Sequence, residues 1–498
     1  MTQETTRTEP LLSEGQRDRG LGTKSFFRKQ LGLLGGVAIA IAVFLLLPES
    51  LSYEGRVTAA VAVLMGAWWV TEAVPIPVTA LLPLIIYPLT KAGEIPDLAG
   101  SYANPIIFLL LGGFILAGGL ERWNLHRRIA LRIVLVIGTR PSRLIAGFMI
   151  ATAFLSMWVS NSATATMMIP MGMSLVTLVN ERRKDLQKES HFGVALMLGV
   201  AYAATCGGLG TMIGSPVNVI VVGYLRETLE RDITFLQWMC VGVPVMVMML
   251  VIGWLILTKW VWRPEVDELP GGEKLFRGLL DEMGPMSGGE KLTLLVFGLA
   301  AASWMFIPIL FPDSPADDAV IAMCAALAMF LIPAASGRGV MLMDWRTATR
   351  IPWDVLILVG GGLALSSQII SSGLSEWIGG LVGNLDFLPF WAMIVLITVM
   401  LLLLTEFTSN TATSAAFVPV VGGLAAGMGA DPLILVIAAG IACSLAFMLP
   451  VGTPPNAIAF GSGAVTIPQM VRSGIWMNVA GVVVVVISVL TFVPWVLS

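Results

Sequence analysis

The stretch "SNSATATMMIP" runs from Ser160 to Pro170, and "SNTATSAAFVP" runs from Ser409 to Pro419. Each copy places a Ser-Asn-Ser/Thr-Ala-Thr cluster in the middle of an apolar segment. Polar groups inside apolar segments are costly, so they persist where protein partners or a wet cavity satisfy them. The repetition predicts that the two copies are the halves of one ion and anion site in a membrane transporter.

The composition predicts an all-α polytopic membrane protein. The chain has 498 residues, of which 56% are hydrophobic and only 12% are charged. A soluble protein has about 25% charged residues, so this chain lacks the polar surface to face water on all sides. Long apolar runs lie at 31–48, 57–70, 292–311 and 475–497, and they are near or above the length that crosses a bilayer.

The distribution of positive charge predicts the orientation in the cell membrane. If the N-terminus is cytoplasmic, the apolar runs alternate so that all but four of the 29 basic residues lie inside, the exceptions being Arg56, Lys91, Arg226 and Arg231. The C-terminus is then extracytoplasmic. Both ends of the segment 143–180 carry basic residues, so that segment must leave and return to the cytoplasmic side as a helical hairpin.

A second hairpin at 387–429 is flanked by acidic residues and opens from the outside. We therefore expect two inverted repeats of the kind found in secondary transporters, with substrate bound where they meet. The predicted organisation is a cytosolic tail at 1–30, an extra helix and loop at 31–55, a first repeat at 56–263, a cytosolic linker at 264–290 and a second repeat at 291–498.

Each half has a second polar break downstream of its cluster. "GGLGTMIGSPVN" ends at Asn218 and "LPVGTPPN" ends at Asn456. Proline and glycine interrupt a helix and free backbone groups, so two broken helices are expected. Carbonyl, hydroxyl and amide oxygens suit a hard cation such as Na⁺, while hydroxyls, amides and helix N-termini suit an anion. Small polar residues also serve helix packing, which is the alternative for a single cluster but does not explain two matched ones.

At these residues the chain resembles the divalent anion/sodium symporter family of dicarboxylate, citrate and sulfate carriers. The resemblance extends from about Val57 to the C-terminus and includes "WWVTEAVPIPVTALLP" at 68–83, both SN[ST] clusters and both Gly-[Ser/Thr]-Pro-x-Asn breaks. It implies a homodimer in lipid, eleven spans with two re-entrant hairpins per protomer, and an elevator motion against a dimerising scaffold. It implies no cofactor and no nucleic acid partner, with Na⁺ as the coupling ion.

The resemblance also implies the site residues. One sodium ion would be bound by Ser156, Ser160, Asn161 and the Gly214 carbonyl, and a second by Thr405, Thr408, Asn410 and the Gly452 carbonyl. The substrate would be bound by Asn161, Ser162, Ser215, Asn410, Thr411, Thr453 and Pro454. Two residues depart from the family pattern, namely Ser162 in place of the usual threonine and Val217 in place of a second proline.

The function expected from the resemblance is Na⁺-coupled symport of C4-dicarboxylates such as succinate, malate and fumarate. The alternatives are a Na⁺-independent exchanger, a sulfate or citrate carrier of the same family, a proton-coupled carrier and a channel. An enzyme is not expected, because the sequence has no HExxH or GxSxG motif and both histidines lie outside the clusters.

Four further features have open interpretations. Glu406 either adjusts cation affinity through its charge or is held by hydrogen bonds within the hairpin. For Glu72 we expect an interfacial role. Trp158 and Phe407 stand at equivalent positions before the two polar tips, and we expect both to pack within the hairpins. The stretch Glu121–Val134 is expected to form an amphipathic helix at the cytosolic surface.

Overall fold

The structure is a computed structural model that describes residues 23–138, 140–180, 190–265, 272–334, 339–382, 389–428 and 430–497. Most of these residues are helical. The one β feature in those ranges is a bridge between Pro333 and Met341. Most of the expected N-terminal tail and part of the expected linker, 1–22 and 266–271, lie outside the described residues.

The helices before the expected linker are α1 (Thr23–Leu46), α2 (Tyr53–Thr71), α3 (Ile76–Thr79), α4 (Pro83–Leu89), α5 (Ile95–Tyr102), α6 (Pro105–Arg122), α7 (Leu125–Ile137), α8 (Pro141–Ser156), α9 (Asn161–Asn180), α10 (His191–Gly207), α11 (Pro216–Leu229) and α12 (Phe235–Leu255). A 3₁₀ turn, Met212–Gly214, precedes α11, and a π-helical segment, Ile256–Val261, continues α12.

The helices that follow are α13 (Gly272–Glu282), α14 (Gly288–Leu310), α15 (Asp318–Leu331), α16 (Trp345–Ala348), α17 (Trp353–Ser371), α18 (Leu374–Val382), α19 (Phe390–Thr405), α20 (Asn410–Gly427), α21 (Pro432–Ser444), α22 (Pro454–Gly461) and α23 (Ile467–Leu497).

The two expected hairpins and the two expected breaks coincide with helix ends. Four residues separate α8 from α9, and four separate α19 from α20. Eight residues separate α10 from α11, and nine separate α21 from α22. The helix after each break starts with a proline, Pro216 or Pro454, and its N-cap is the residue before, Ser215 or Thr453. Proline is favoured at the first position of a helix.

Seven of the described helices are long and apolar enough to span a membrane: Lys29–Leu46, Ile95–Arg122, Asn161–Val179, Phe235–Val261, Gly288–Leu310, Trp353–Ser371 and Ile467–Leu497. Six further apolar helices of 10–17 residues include α8, α10, α19 and α21. These shorter helices flank the polar clusters and the breaks. A multi-pass helical membrane protein is therefore supported, whereas the count of eleven spans stays a prediction.

Elements from the two halves pack against each other. Helix α10 packs on α8 and on α22, and α11 packs on α20 and α21. Tyr202 of α10 meets Phe447 edge to face, with ring centroids 5.1 Å apart. Because α10 and α21 lead into the two breaks, this packing brings both breaks into the centre of the protein.

The stretch expected to be one amphipathic helix, Glu121–Val134, is divided: α6 ends at Arg122, Asn124 has a positive φ, and α7 starts at Leu125. Helix α7 is also not simply a surface helix. Arg128 is buried, and its Nε donates to Glu290 Oε1 at 2.6 Å. Its Nη1 also donates to the Gly284 carbonyl at 2.9 Å. The expectation of an interfacial helix is thus incomplete, since one basic side chain points inward and fastens α7 to the start of α14.

Candidate ion-binding site

An open cavity of about 1380 Å³ lies between the two hairpin tips. All seven residues expected to bind substrate line it: Asn161, Ser162, Ser215, Asn410, Thr411, Thr453 and Pro454. Of the residues expected to bind cations, Ser160, Gly214, Thr408 and Gly452 also line it. The remaining two, Ser156 and Thr405, are fully buried behind the tips.

The group of polar residues around Asn161 is called the first half-site. Ser156 Oγ lies 2.6 Å from Asn161 Oδ1 and 2.8 Å from the carbonyl oxygen of Ala204. A hydroxyl has one proton, so it can donate to only one of these two acceptors. The Ala204 carbonyl also accepts the backbone amide of Gly208 at 3.2 Å, so it keeps a donor when the hydroxyl turns to Asn161. The hydroxyl oxygen and Asn161 Oδ1 are then two neutral oxygens that can contact a cation.

The second half-site, around Asn410, has the same arrangement. Thr405 Oγ1 lies 2.6 Å from the Asn410 side-chain amide and 2.9 Å from the carbonyl oxygen of Cys443. The same end of the Asn410 amide lies 3.3 Å from the Cys443 oxygen and 3.2 Å from the Gly452 oxygen. Three oxygens thus converge on one point, where either the amide nitrogen or a cation can satisfy them.

Each break is held open by one asparagine. Asn218 Nδ2 donates to the carbonyls of Gly208 and Thr211, both at 2.7 Å. Asn456 Nδ2 donates to the carbonyls of Ala446 and Leu449, at 3.2 and 3.1 Å. In both cases the acceptors stand 10 and 7 residues before the asparagine. The two half-sites therefore share a frame and not only a motif.

Two glycines of the first half-site are required by close contact. A Cβ on Gly208 would lie 2.7 Å from Asn161 Oδ1, and a Cβ on Gly214 would lie 2.7 Å from the carbonyl oxygen of Gly208. Real side chains do not approach so closely. Glycine at these positions lets three oxygen-bearing segments meet.

Four helix N-termini line the same cavity. Helices α9 and α20 start at Asn161 and Asn410, and α11 and α22 start at Pro216 and Pro454. Helix N-termini carry partial positive charge and free N–H groups, so the cavity favours an anion although neither hairpin tip, 157–160 or 406–409, contains a basic residue.

Two residues that were expected to bind cations, Thr408 and Ser160, do not belong to the groups around Asn410 and Asn161. The Thr408 hydroxyl donates to the Leu404 carbonyl at 2.9 Å and lies 2.7 Å from Thr413 Oγ1, so its hydrogen bonds stay within the second hairpin. Ser160 is exposed, and its Oγ accepts a hydrogen bond from the Ala163 amide at 3.3 Å. The structure therefore groups Ser156 with Asn161 and Thr405 with Asn410, but does not bring these two hydroxyls into the groups.

Sequence reasoning left the partners of Glu406 open. The side chain is fully buried, and its carboxylate accepts hydrogen bonds from the backbone amides of Phe447, Met448 and Leu449 at 2.7 to 3.1 Å. The Asn478 amide of α23 adds a fourth donor at 2.8 Å. None of these donors belongs to the hairpin, so the alternative of bonding within the hairpin is wrong.

The two aromatic residues before the tips differ. Trp158 is buried, stacks on Phe235 with centroids 6.1 Å apart, and meets the edge of Phe297 at 4.9 Å. Phe407 is 68% exposed and lines the cavity. Trp158 is thus packed, but against α12 and α14 and not within its own hairpin as expected, and the expectation of packing is wrong for Phe407.

Charged residues stand at the rim of the cavity, namely Glu72, Glu121, Arg122, Arg350 and Asp354. Arg122 pairs with Asp344 and donates to Thr347 Oγ1 at 3.0 Å. The Thr347 backbone amide and the Arg122 guanidinium together lower the pKa of Asp344 to about 2.

Within the described residues, no group of three or more His, Cys, Asp or Glu side chains could hold a metal ion. The oxygens grouped around Asn161 and Asn410 are neutral, and neutral oxygen ligands fit Na⁺ better than a transition metal.

The family model described as "Sodium:sulfate symporter transmembrane region" matches residues 28–498. Curated relatives include the sodium-dependent dicarboxylate transporter SdcS of Staphylococcus saprophyticus, 41% identical over 474 residues, with 94% of this chain and 91% of the relative covered. The same transporter of Staphylococcus aureus (strain bovine RF122 / ET3-1) is 40% identical over 477 residues, with the same coverage.

Two solved structures share the fold at low identity. The Alcanivorax borkumensis YdaH transporter has a TM-score of 0.53 at 13% identity, covering 80% of this chain and 87% of its own. Neisseria gonorrhoeae MtrF, whose structure is described with a class of antimetabolite efflux pumps, has a TM-score of 0.53 at 10% identity, covering 93% and 94%. Both support a transporter fold and carry no argument about the substrate.

Proposed function

The chain belongs to the sodium:sulfate symporter family, and we propose that it is a secondary transporter that moves C4-dicarboxylates together with Na⁺ across the cell membrane. Members of this family are transporters, and the chain is not an enzyme. The relatives at about 40% identity are sodium-dependent dicarboxylate transporters, which favours dicarboxylates such as succinate, malate and fumarate over sulfate.

The observation that carries this proposal is the pair of matched half-sites facing one cavity. We propose that each half-site holds one Na⁺, with Ser156 and Asn161 in the first and Thr405, Asn410 and the Gly452 carbonyl in the second. The neutral oxygens brought together in each group support a cation there. Ser160, Thr408 and the Gly214 carbonyl remain proposed ligands that would have to turn toward the ions.

The anion would lie between the tips, one carboxylate on each side. Asn161 and Ser162 would bind the first carboxylate, and Asn410 and Thr411 the second, with Ser215, Thr453 and Pro454 completing the pocket. Hydroxyl and amide donors together with four helix N-termini supply hydrogen bonds without an arginine at the centre. The bound cations would supply the remaining positive charge.

We further propose that the chain consists of two inverted repeats, 56–263 and 291–498, whose hairpins are re-entrant. The N-terminus would be cytoplasmic, and two protomers would form a dimer in lipid. The cavity rim contains Arg122 and Arg350, which fall in segments expected on the cytoplasmic side. The cavity would then open inward, and an elevator motion of the hairpins against a scaffold would present the site to the outside.

Uptake of labelled succinate into proteoliposomes tests the proposal. Inward Na⁺ and K⁺ gradients are compared, with and without succinate inside. Uptake that requires Na⁺ without internal succinate is expected. Uptake that ignores Na⁺ but requires internal succinate would instead show an exchanger, and sulfate or citrate uptake without succinate uptake would refute the choice of substrate.

A further inference from the structure

Glu406 is an acidic side chain that lies directly behind the second half-site. It follows Thr405 in the chain, and its side chain is fully buried. A Cβ on Gly452 would lie 3.3 Å from both the carbonyl oxygen and Oε2 of Glu406. The carboxylate is therefore in contact with the residue whose carbonyl points to Asn410.

The carboxylate replaces the backbone hydrogen bonds that the break removes. Helix α21 ends at Ser444, and the three consecutive amides of Phe447, Met448 and Leu449 all donate to Glu406. Buried amides without partners are costly, so this carboxylate fixes the path of the segment that leads to Gly452.

The charge of Glu406 has no cationic side chain to balance it. In the described part of the chain, no Lys, Arg or His side chain forms an ion pair with it. Its partners are amide dipoles only. In that part of the chain no basic side chain therefore competes with a bound cation for the carboxylate.

The first half-site has no such group. Met157 follows Ser156 there, as Glu406 follows Thr405. The amides of Leu209 and Gly210 donate to helix carbonyls at 3.1 and 2.9 Å, and the Thr211 hydroxyl bonds to the Met157 carbonyl and accepts from the Gly214 amide. That break is held by neutral groups alone.

We infer that Glu406 is a positioning residue of the second half-site, which holds the Gly452 segment in place and makes this half-site the stronger of the two for Na⁺. The inference rests on the proposed sodium-coupled transport. A unit charge a few ångströms from an ion in a partly screened interior changes its affinity by about tenfold or more.

The test measures the Na⁺ dependence of succinate uptake in proteoliposomes and, separately, the stabilisation of the purified protein by Na⁺ without succinate. Glu406→Gln is expected to raise the half-saturating Na⁺ concentration about tenfold. It should leave the KM for succinate at saturating Na⁺ within about twofold of wild type. Glu406→Asp keeps the charge on a shorter side chain. Its half-saturating Na⁺ concentration should lie between those of wild type and Glu406→Gln.

Glu227→Gln is the control, because the Glu227 carboxylate also accepts a hydrogen bond from an asparagine amide, that of Asn104, but is exposed and does not line the cavity. Its Na⁺ dependence should equal that of wild type. If Glu406→Gln lowers only the maximal rate, or if Glu227→Gln has the same effect on Na⁺, the inference is overturned.

If Glu406→Gln does not fold, Asn478→Leu decides the question, since it removes one donor to the carboxylate and leaves the charge. A rise of about threefold in half-saturating Na⁺ is expected, and no change would overturn the inference. A wild-type protein that is stabilised by Na⁺ but takes up no succinate would refute the proposed function alone. In that case the stabilisation assay still tests Glu406.

Discussion

The two half-sites share one frame and differ in what holds it. In both, a buried hydroxyl lies between an asparagine amide and a helix carbonyl, and a second asparagine spans the break with the same spacing. Behind this frame the first half-site has Met157 and a buried Trp158, whereas the second has a buried Glu406 and an exposed Phe407. The geometry of the proposed ligand groups is thus repeated within the molecule, while the residues that support it differ.

The largest expected effect is at the residues that the half-sites share. Asn161→Leu and Asn410→Leu should each reduce Na⁺-dependent succinate uptake by about a hundredfold or more, because each leaves buried oxygens without a partner and removes a ligand. Uptake in proteoliposomes measures this. Substantial uptake by either variant would show that its half-site is not used.

The asparagines of the breaks test whether the two half-sites depend on them equally. Asn218→Leu leaves the Gly208 carbonyl without its donor, and Asn456→Leu does the same to the Ala446 carbonyl, at about 1–3 kcal/mol each. The Thr211 and Leu449 carbonyls keep the backbone amides of Gly214 and Gly452. We expect each change to lower uptake about tenfold. A clearly larger loss in one variant would show that its break depends more on the asparagine and so separate the two half-sites.

Replacing Trp158 and replacing Phe407 should have different effects on the stability of the protein. Trp158→Ala removes a buried ring from its contacts with Phe235 and Phe297, and the expected loss is about 3–5 kcal/mol in the free energy of unfolding. Phe407→Ala removes an exposed ring and should change it by less than about 0.5 kcal/mol. Thermal and denaturant unfolding in detergent measure both. A large loss for Phe407→Ala would indicate that the ring is packed in another conformation.

The smallest effect is expected at the cavity rim. Hydrogen bonds from Thr347 and Arg122 lower the pKa of Asp344 to about 2, so the carboxylate stabilises the folded state above its ordinary pKa of about 4 and loses this contribution as the pH falls toward 2. The pair therefore does not titrate between about pH 5 and pH 8. Asp344→Asn should change uptake by less than about twofold at any pH in that range. A pH-dependent loss in this variant would place the rim in the transport cycle.

The sequence was most informative where polar residues interrupt apolar ones. The hairpin tips and the breaks stand out because Ser, Asn, Gly and Pro are rare inside such segments, and the structure brings Asn161, Ser162, Asn410 and Thr411 to one cavity. These signals are local. Each can be read from fewer than about twenty neighbouring residues, the length of a single span.

Features that depend on distant residues could not be predicted. The donors to Glu406 come from 41 to 72 residues further along the chain, so no local pattern identifies them. Trp158 and Phe407 occupy equivalent positions, and only the packing of α12 and α14 makes one buried and the other exposed. The burial of Arg128 against Glu290 has the same cause, because a basic residue on an amphipathic helix is usually solvated.

The Asn410 amide has two chemically different ends, and this has a thermodynamic consequence. One end meets the oxygens of Thr405, Cys443 and Gly452, while the residue also lines the cavity. With a cation behind it, the amide would turn its oxygen inward and its nitrogen toward an incoming carboxylate. Without the cation, the nitrogen is already taken by those oxygens. Rotation about one side-chain bond would thus link the two binding equilibria, and by reciprocity the factor by which Na⁺ tightens the anion equals the factor by which the anion tightens Na⁺.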